Sequence, residues 1–140
     1  MKVLYTTQST AVGGREGTAA TPDGRLSVKL STPRELGGDN GPGTNPEQMF
    51  ASGYAACFIG ALKYVGAQSK IAIPAATAVT ATVGIGPRDD GAGFGLDVAL
   101  AVSIPGVDKA VAEDLVARAH IVCPYSNATR GNLDVRLSVV

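Results

Sequence analysis

Apolar and polar positions alternate twice near the start of the chain, at Val3, Tyr5 and Thr7 and again at Leu26, Val28 and Leu30. Such a period of two marks half-buried strands. Between the two runs, Pro22-Asp23-Gly24 is a turn signal, because Pro fixes one dihedral and Gly supplies a positive φ. An antiparallel meander through residue 31 is predicted. Residues 32–44 carry four Gly and two Pro with almost no apolar content, which predicts a long surface loop. Asn45-Pro46-Glu47 then combines a capping Asn, Pro at the first helical position and an acidic first turn. A helix is expected over 45–67. Met49, Phe50, Tyr54, Phe58, Ile59, Leu62 and Val65 make it apolar on nearly all sides, which places it in the centre of the core. Ser52, Ala56 and Gly60, and likewise Gly53, Cys57 and Ala61, form small-residue faces that let another backbone come close.

Past Pro74, an Ala/Thr/Val-rich run over 75–85 reads as a strand, 86–95 as a hairpin loop and 96–104 as its partner. Asp108 caps a second helix with an apolar stripe of Val111, Leu115, Ala119 and Val122, stopping near Cys123 because Pro124 follows. Val135, Leu137 and Val139 alternate in a last strand. The order βββ-α-ββ-α-β predicts an α+β fold, with antiparallel sheets packed around a central buried helix.

The length of 140 residues fits one domain spanning 1–140. Twelve basic residues balance twelve acidic ones. That balance removes the attraction behind non-specific nucleic-acid binding or adsorption to an anionic membrane, so neither partner is expected. A polar run at residues 6–10 stands where an export signal would need its apolar core, and the most apolar stretch, 49–65, is too short and too interrupted to span a bilayer. A cytoplasmic location is expected. In a reducing compartment a pair of cysteines points to catalysis, redox sensing or metal binding more than to a permanent bridge.

Cys57 falls mid-helix and Cys123 at a helix end, in the loop-like context of Pro124-Tyr125-Ser126-Asn127. Two apolar helices in a small core can bring such residues within disulfide range, so a reversible dithiol is one reading and an inert buried thiol the other. The negative end of the helix dipole disfavours a thiolate at Cys123, which makes Cys57 the better nucleophile. Burial raises the pKa of Cys57, which therefore needs a cation nearby. Arg15, flanked by glycines in Gly13-Gly14-Arg15-Glu16-Gly17, is the candidate, and Glu47 could orient its guanidinium through two parallel hydrogen bonds. On composition alone, Arg15 as a solvated loop residue and Glu47 as a dipole-favoured first-turn acid serve as well.

Gly13-Gly14-Arg15, the stretch Asn45-Pro46-Glu47-Gln48-Met49-Phe50-Ala51 leading to Gly53-Tyr54-Ala55-Ala56-Cys57-Phe58, and the run from His120 through Cys123-Pro124-Tyr125-Ser126 to Asn132 closely resemble the organic hydroperoxide resistance (Ohr) proteins of the OsmC/Ohr superfamily. The resemblance covers the chain in order. It implies an intertwined homodimer and a thiol-dependent peroxidase acting on organic hydroperoxides, fatty-acid hydroperoxides among them. It also implies no bound cofactor, the reductant being an external lipoyl dithiol on a lipoylated protein served by its dehydrogenase. Carried over by position, Cys57 would be the peroxidatic thiol, Cys123 the resolving thiol, and Arg15 with Glu47 the activating pair. Met49, Phe50, Tyr54 and Phe58 give the Cys57 region an apolar lining that would hold substrate.

Two other readings compete. Cys57, Cys123, His120 and Glu47 are possible zinc ligands, although their spacing is unlike that of structural zinc sites. A non-catalytic module could instead hold a small apolar ligand among the same aromatics. One geometric problem also stands. On a continuous helix Glu47 and Cys57 are about 15 Å apart along the axis. Either Arg15 spans that gap, the helix is broken, or Glu47 comes from a partner chain, and the small-residue faces favour the third.

Overall fold

The computed structural model describes residues 1–140, which divide into two compact units, Met1–Met49 and Phe50–Val140. In the first, β1 (Thr10–Val12), β2 (Thr18–Ala20) and β3 (Ser27–Lys29) form an antiparallel sheet in chain order. The predicted turn lies between β2 and β3, with Gly24 at φ 70° and its N–H donating to the Thr21 carbonyl. Thr44 bridges to Leu30 and closes the long loop on itself, with one 3-10 turn at Arg34–Leu36 inside it.

The expected strand at Val3–Thr7 does not form, and Leu4 is 90% exposed. Register explains the difference. Thr10 pairs with Ala20 and Val12 with Thr18. Extended backwards, that register would set Thr7 against Asp23, which is inside the turn. The alternating residues therefore overshoot their partner strand.

Helix α1 (Pro46–Gln68) begins with the Asn45 side-chain oxygen accepting from the Gln48 N–H at 2.9 Å. It runs unbroken into the second unit. Its buried face is Tyr54, Phe58, Ala61, Leu62 and Val65, whereas Ser52, Ala56, Gly60 and Tyr64 are exposed. The expectation of a helix buried all round is thus corrected, since within one chain α1 is covered on one side. The hairpin of β4 (Ala78–Pro87) and β5 (Phe94–Ser103) extends further than predicted, because Gly86 and Gly95 pair with each other instead of belonging to the loop.

Helix α2 (Lys109–Val122) is capped as expected by Asp108, which accepts from the N–H groups of Ala110 and Val111. Its buried stripe is Ala112, Leu115, Val116 and Ala119, rotated from the predicted one, and Val111 and Val122 are exposed. A short α3 (Pro124–Thr129) follows at once, where a loop was expected. Pro124 stops α2 because it cannot extend it, and starts α3 because a first helical position needs no N–H. Strand β6 (Val135–Val139) then pairs with β5 in parallel, so the second sheet, β4-β5-β6, is mixed and not wholly antiparallel. A helical crossover returns the chain in the same direction, which a hairpin cannot do. Val98, Leu100 and Val102 of β5 share one core with the buried faces of α1 and α2.

Candidate active site

The first unit holds a prepared cation. Gly13 and Gly14 both take positive φ and lead into a 3-10 turn that carries Arg15. Gly17 closes it with no room for a side chain, since a Cβ there would lie 1.7 Å from the Val12 carbonyl oxygen. Arg15 then donates through both terminal nitrogens to Glu47, at 2.8 and 2.6 Å. The expected fork is present, and the guanidinium holds the Glu47 carboxyl below its usual range. Donating to Glu47 in turn raises Arg15 above its ordinary value.

The second unit holds the two thiols. Both are free, and the Cys123 thiol donates to the Cys57 sulfur at 3.8 Å. Their accessibilities reverse the sequence expectation, for Cys57 is partly exposed and Cys123 fully buried. Cys123, at the junction of α2 and α3, belongs to the core cluster shared by α1, β5 and α2. Burial pushes the Cys57 thiol up, the backbone N–H of Tyr125 pulls it partly down, and Cys123 raises it again.

An aromatic cluster flanks the thiols. Phe50 meets Tyr54 edge to face at 5.8 Å between ring centroids, and Tyr125 lies 5.6 Å from Tyr54 and 6.2 Å from Phe50. Gly53 lets Tyr125 lie against α1, because a Cβ there would stand 3.1 Å from the phenol oxygen. Tyr54 and Phe58 belong to the core, whereas Phe50 and Met49 are half-buried. Tyr125 and Ser126 were missed as site residues because their segment read as a loop, although Pro124 at a first helical position was the available signal. Ser126 joins the Tyr54 hydroxyl and His120 Nδ1, each at 2.9 Å. Arg130 donates to the carbonyls of His120 and Ile121, closing the end of α2.

No three His, Cys, Asp or Glu side chains gather as a metal site. An open groove of about 850 Å³ along the β4-β5 hairpin contains none of the predicted site residues. No helix is long and apolar enough to cross a membrane.

Residues 37–138 match the family described as OsmC-like protein. An organic hydroperoxide resistance protein of Xanthomonas axonopodis pv. citri is 59% identical over 138 residues, covering 99% of this chain and 96% of that protein. This chain belongs to the OsmC-like family. Within it, the likeness is to the Ohr branch. The organic hydroperoxide resistance protein OhrB of Bacillus subtilis is 41% identical, covering 97% of this chain and 98% of its own length. A crystal structure of an organic hydroperoxide resistance protein OsmC from Legionella pneumophila superposes with a TM-score of 0.91 at 51% identity, over 99% of this chain and 98% of that one. The mixed α and β architecture described above is therefore that of the Ohr proteins.

Proposed function

We propose that this chain is a thiol-dependent peroxidase that reduces organic hydroperoxides to alcohols. The observation that carries this reading is the pair of unbridged sulfurs 3.8 Å apart, one partly exposed and the other buried. Ohr membership supports it, since the relatives are named for organic hydroperoxide resistance. The Cys57 thiolate takes the outer peroxide oxygen, the O–O bond breaks, and the alkoxide leaves as the alcohol after gaining a proton. The sulfur, oxidised by two electrons, is now a sulfenic acid. The Cys123 thiol condenses with it, an S–S bond forms and water departs. An external dithiol, of lipoyl type, returns the disulfide to two thiols. A thiol raised by burial needs a cation to ionise at neutral pH, and the Arg15–Glu47 fork is the fixed charge suited to that task and to the developing alkoxide. Half-buried Phe50 and the neighbouring Tyr125 favour bulky organic hydroperoxides over hydrogen peroxide, at roughly 25 cal/mol per Å² of apolar surface covered.

The test compares the two cysteines and three reductants. Cys57→Ser should abolish consumption of cumene hydroperoxide, whereas Cys123→Ser should consume about one equivalent and stall as a sulfenic or over-oxidised thiol. With the unaltered chain, a lipoyl system should sustain turnover better than thioredoxin or glutathione. Equal residual activity in both variants would remove the assignment of roles.

A further inference from the structure

Three polar groups near the thiols have no part in the chemistry above. The Tyr54 hydroxyl, Ser126 Oγ and His120 Nδ1 form a chain with 2.9 Å at each link. Tyr54 and Ser126 are fully buried. Each member lies three residues, about one helical turn, from a cysteine: Tyr54 before Cys57 on α1, His120 before Cys123 on α2, and Ser126 after Cys123 on α3. Whichever way the two protons run along the chain, all three groups are partnered, so nothing buried is left unsatisfied. The chain therefore pins together α1, α2 and α3, the helices on which or between which the two sulfurs lie.

We propose that the Tyr54–Ser126–His120 chain is a positioning device for the dithiol, holding Cys123 against Cys57 so that the sulfenic acid is captured quickly as a disulfide. The idea rests on the peroxidase reading and deepens it. Attack on the peroxide forms no bond to the Cys123 sulfur, so that step depends on α2 and α3 only indirectly, through the Tyr125 N–H and the Cys123 thiol that bear on Cys57. Condensation depends on them directly. There the Cys123 sulfur bonds to the Cys57 sulfur, the S–O bond of the sulfenic acid breaks, and its oxygen leaves with the Cys123 proton as water. A displacement of one sulfur by a fraction of an ångström changes the rate of such a step steeply, because near-attack geometry supplies much of its acceleration. Burial, and then the charge of Arg130, hold His120 below its ordinary pKa, which keeps the ring neutral at physiological pH and the chain uncharged.

The experiment is a rapid-mixing single turnover of the reduced full-length protein with one equivalent of cumene hydroperoxide. It is quenched in acid with a sulfenic-acid trap and read by intact mass. Ser126→Ala should prolong the sulfenic acid roughly tenfold, the effect expected from losing one buried hydrogen-bond partner, and slow peroxide loss by a much smaller factor. His120→Leu should act likewise, whereas His120→Asn, which keeps a polar atom at the same place, should recover most of the rate. If Ser126→Ala does not fold, the His120 pair decides alone, because His120 is only partly buried. Wild-type disulfide formation in His120→Leu, or slowing of both steps by the same factor, overturns the proposal. If the unaltered chain forms neither sulfenic acid nor disulfide, the peroxidase reading itself has failed.

Discussion

At Arg15 both terminal nitrogens are taken by one carboxylate, so the guanidinium has a fixed plane and direction although its side chain is about a third exposed. Replacing it by Ala should raise the pH at which Cys57 ionises, followed by the ultraviolet absorbance of the thiolate. Arg15→Lys should restore little, because an ammonium cannot form the fork. An unchanged midpoint in Arg15→Ala would separate the pair from the thiol. The pH range of the fork follows from the Glu47 shift. A carboxyl held below its unfolded value contributes stability that is fully present above the ordinary Glu range and is lost as pH falls through the depressed value. The fork should therefore survive mild acid. These residues were legible in the sequence because few side chains offer their chemistry. The Tyr54–Ser126–His120 chain was not, since it depends on Ser126 meeting Tyr54 across 72 residues of sequence, which no local pattern encodes.

Among the elements, the short sheet of the first unit depends on a turn that only glycine can make. In Gly17→Ala the new methyl would collide with the Val12 carbonyl, so either β1 and β2 separate or the 3-10 turn shifts and carries Arg15 with it. The expected loss of stability is on the order of 2 kcal/mol or more, measured by urea unfolding, because overpacking against backbone has no easy relief. Gly24→Ala offers the contrast: its Cβ meets nothing within 4 Å, so only the strain of a positive φ applies. Elements with end signals could be read directly, as the Asn45 and Asp108 caps show. Periodicity was less reliable. The Val3–Thr7 alternation lacks a partner strand, and the buried stripe of α2 takes in Ala112 and Val116 while Val111 and Val122 stay exposed. The parallel β5–β6 pair was beyond local reading, since strand direction follows from the path of the crossover.

For the whole molecule, the unbroken α1 disposes of one of the three geometries left open by the sequence. With Glu47 and Cys57 on one continuous helix about 15 Å apart along its axis, no break brings them together. We propose a homodimer in which the fork of each chain serves the thiol of the other, the exposed Ser52, Ala56 and Gly60 allowing two α1 helices to cross closely. Subunits carrying Cys57→Ser, mixed with subunits carrying Glu47→Ala under conditions that exchange chains, should regain up to about half the sites of each mixed dimer. Inactive heterodimers built from folded subunits would show that each fork serves its own chain.

In the proposed peroxidase cycle, the unequal exposure of the two sulfurs also sets the regiochemistry of recovery. A reducing dithiol arriving from solvent would meet the sulfur of Cys57, because Cys57 is partly exposed and Cys123 is fully buried. Cys123 is then the leaving group, expelled inward to the place it held before. In that cycle the mixed disulfide with the reductant would form at the same atom that takes the peroxide oxygen, so oxidant and reductant would use one doorway in turn and compete for it when both are abundant.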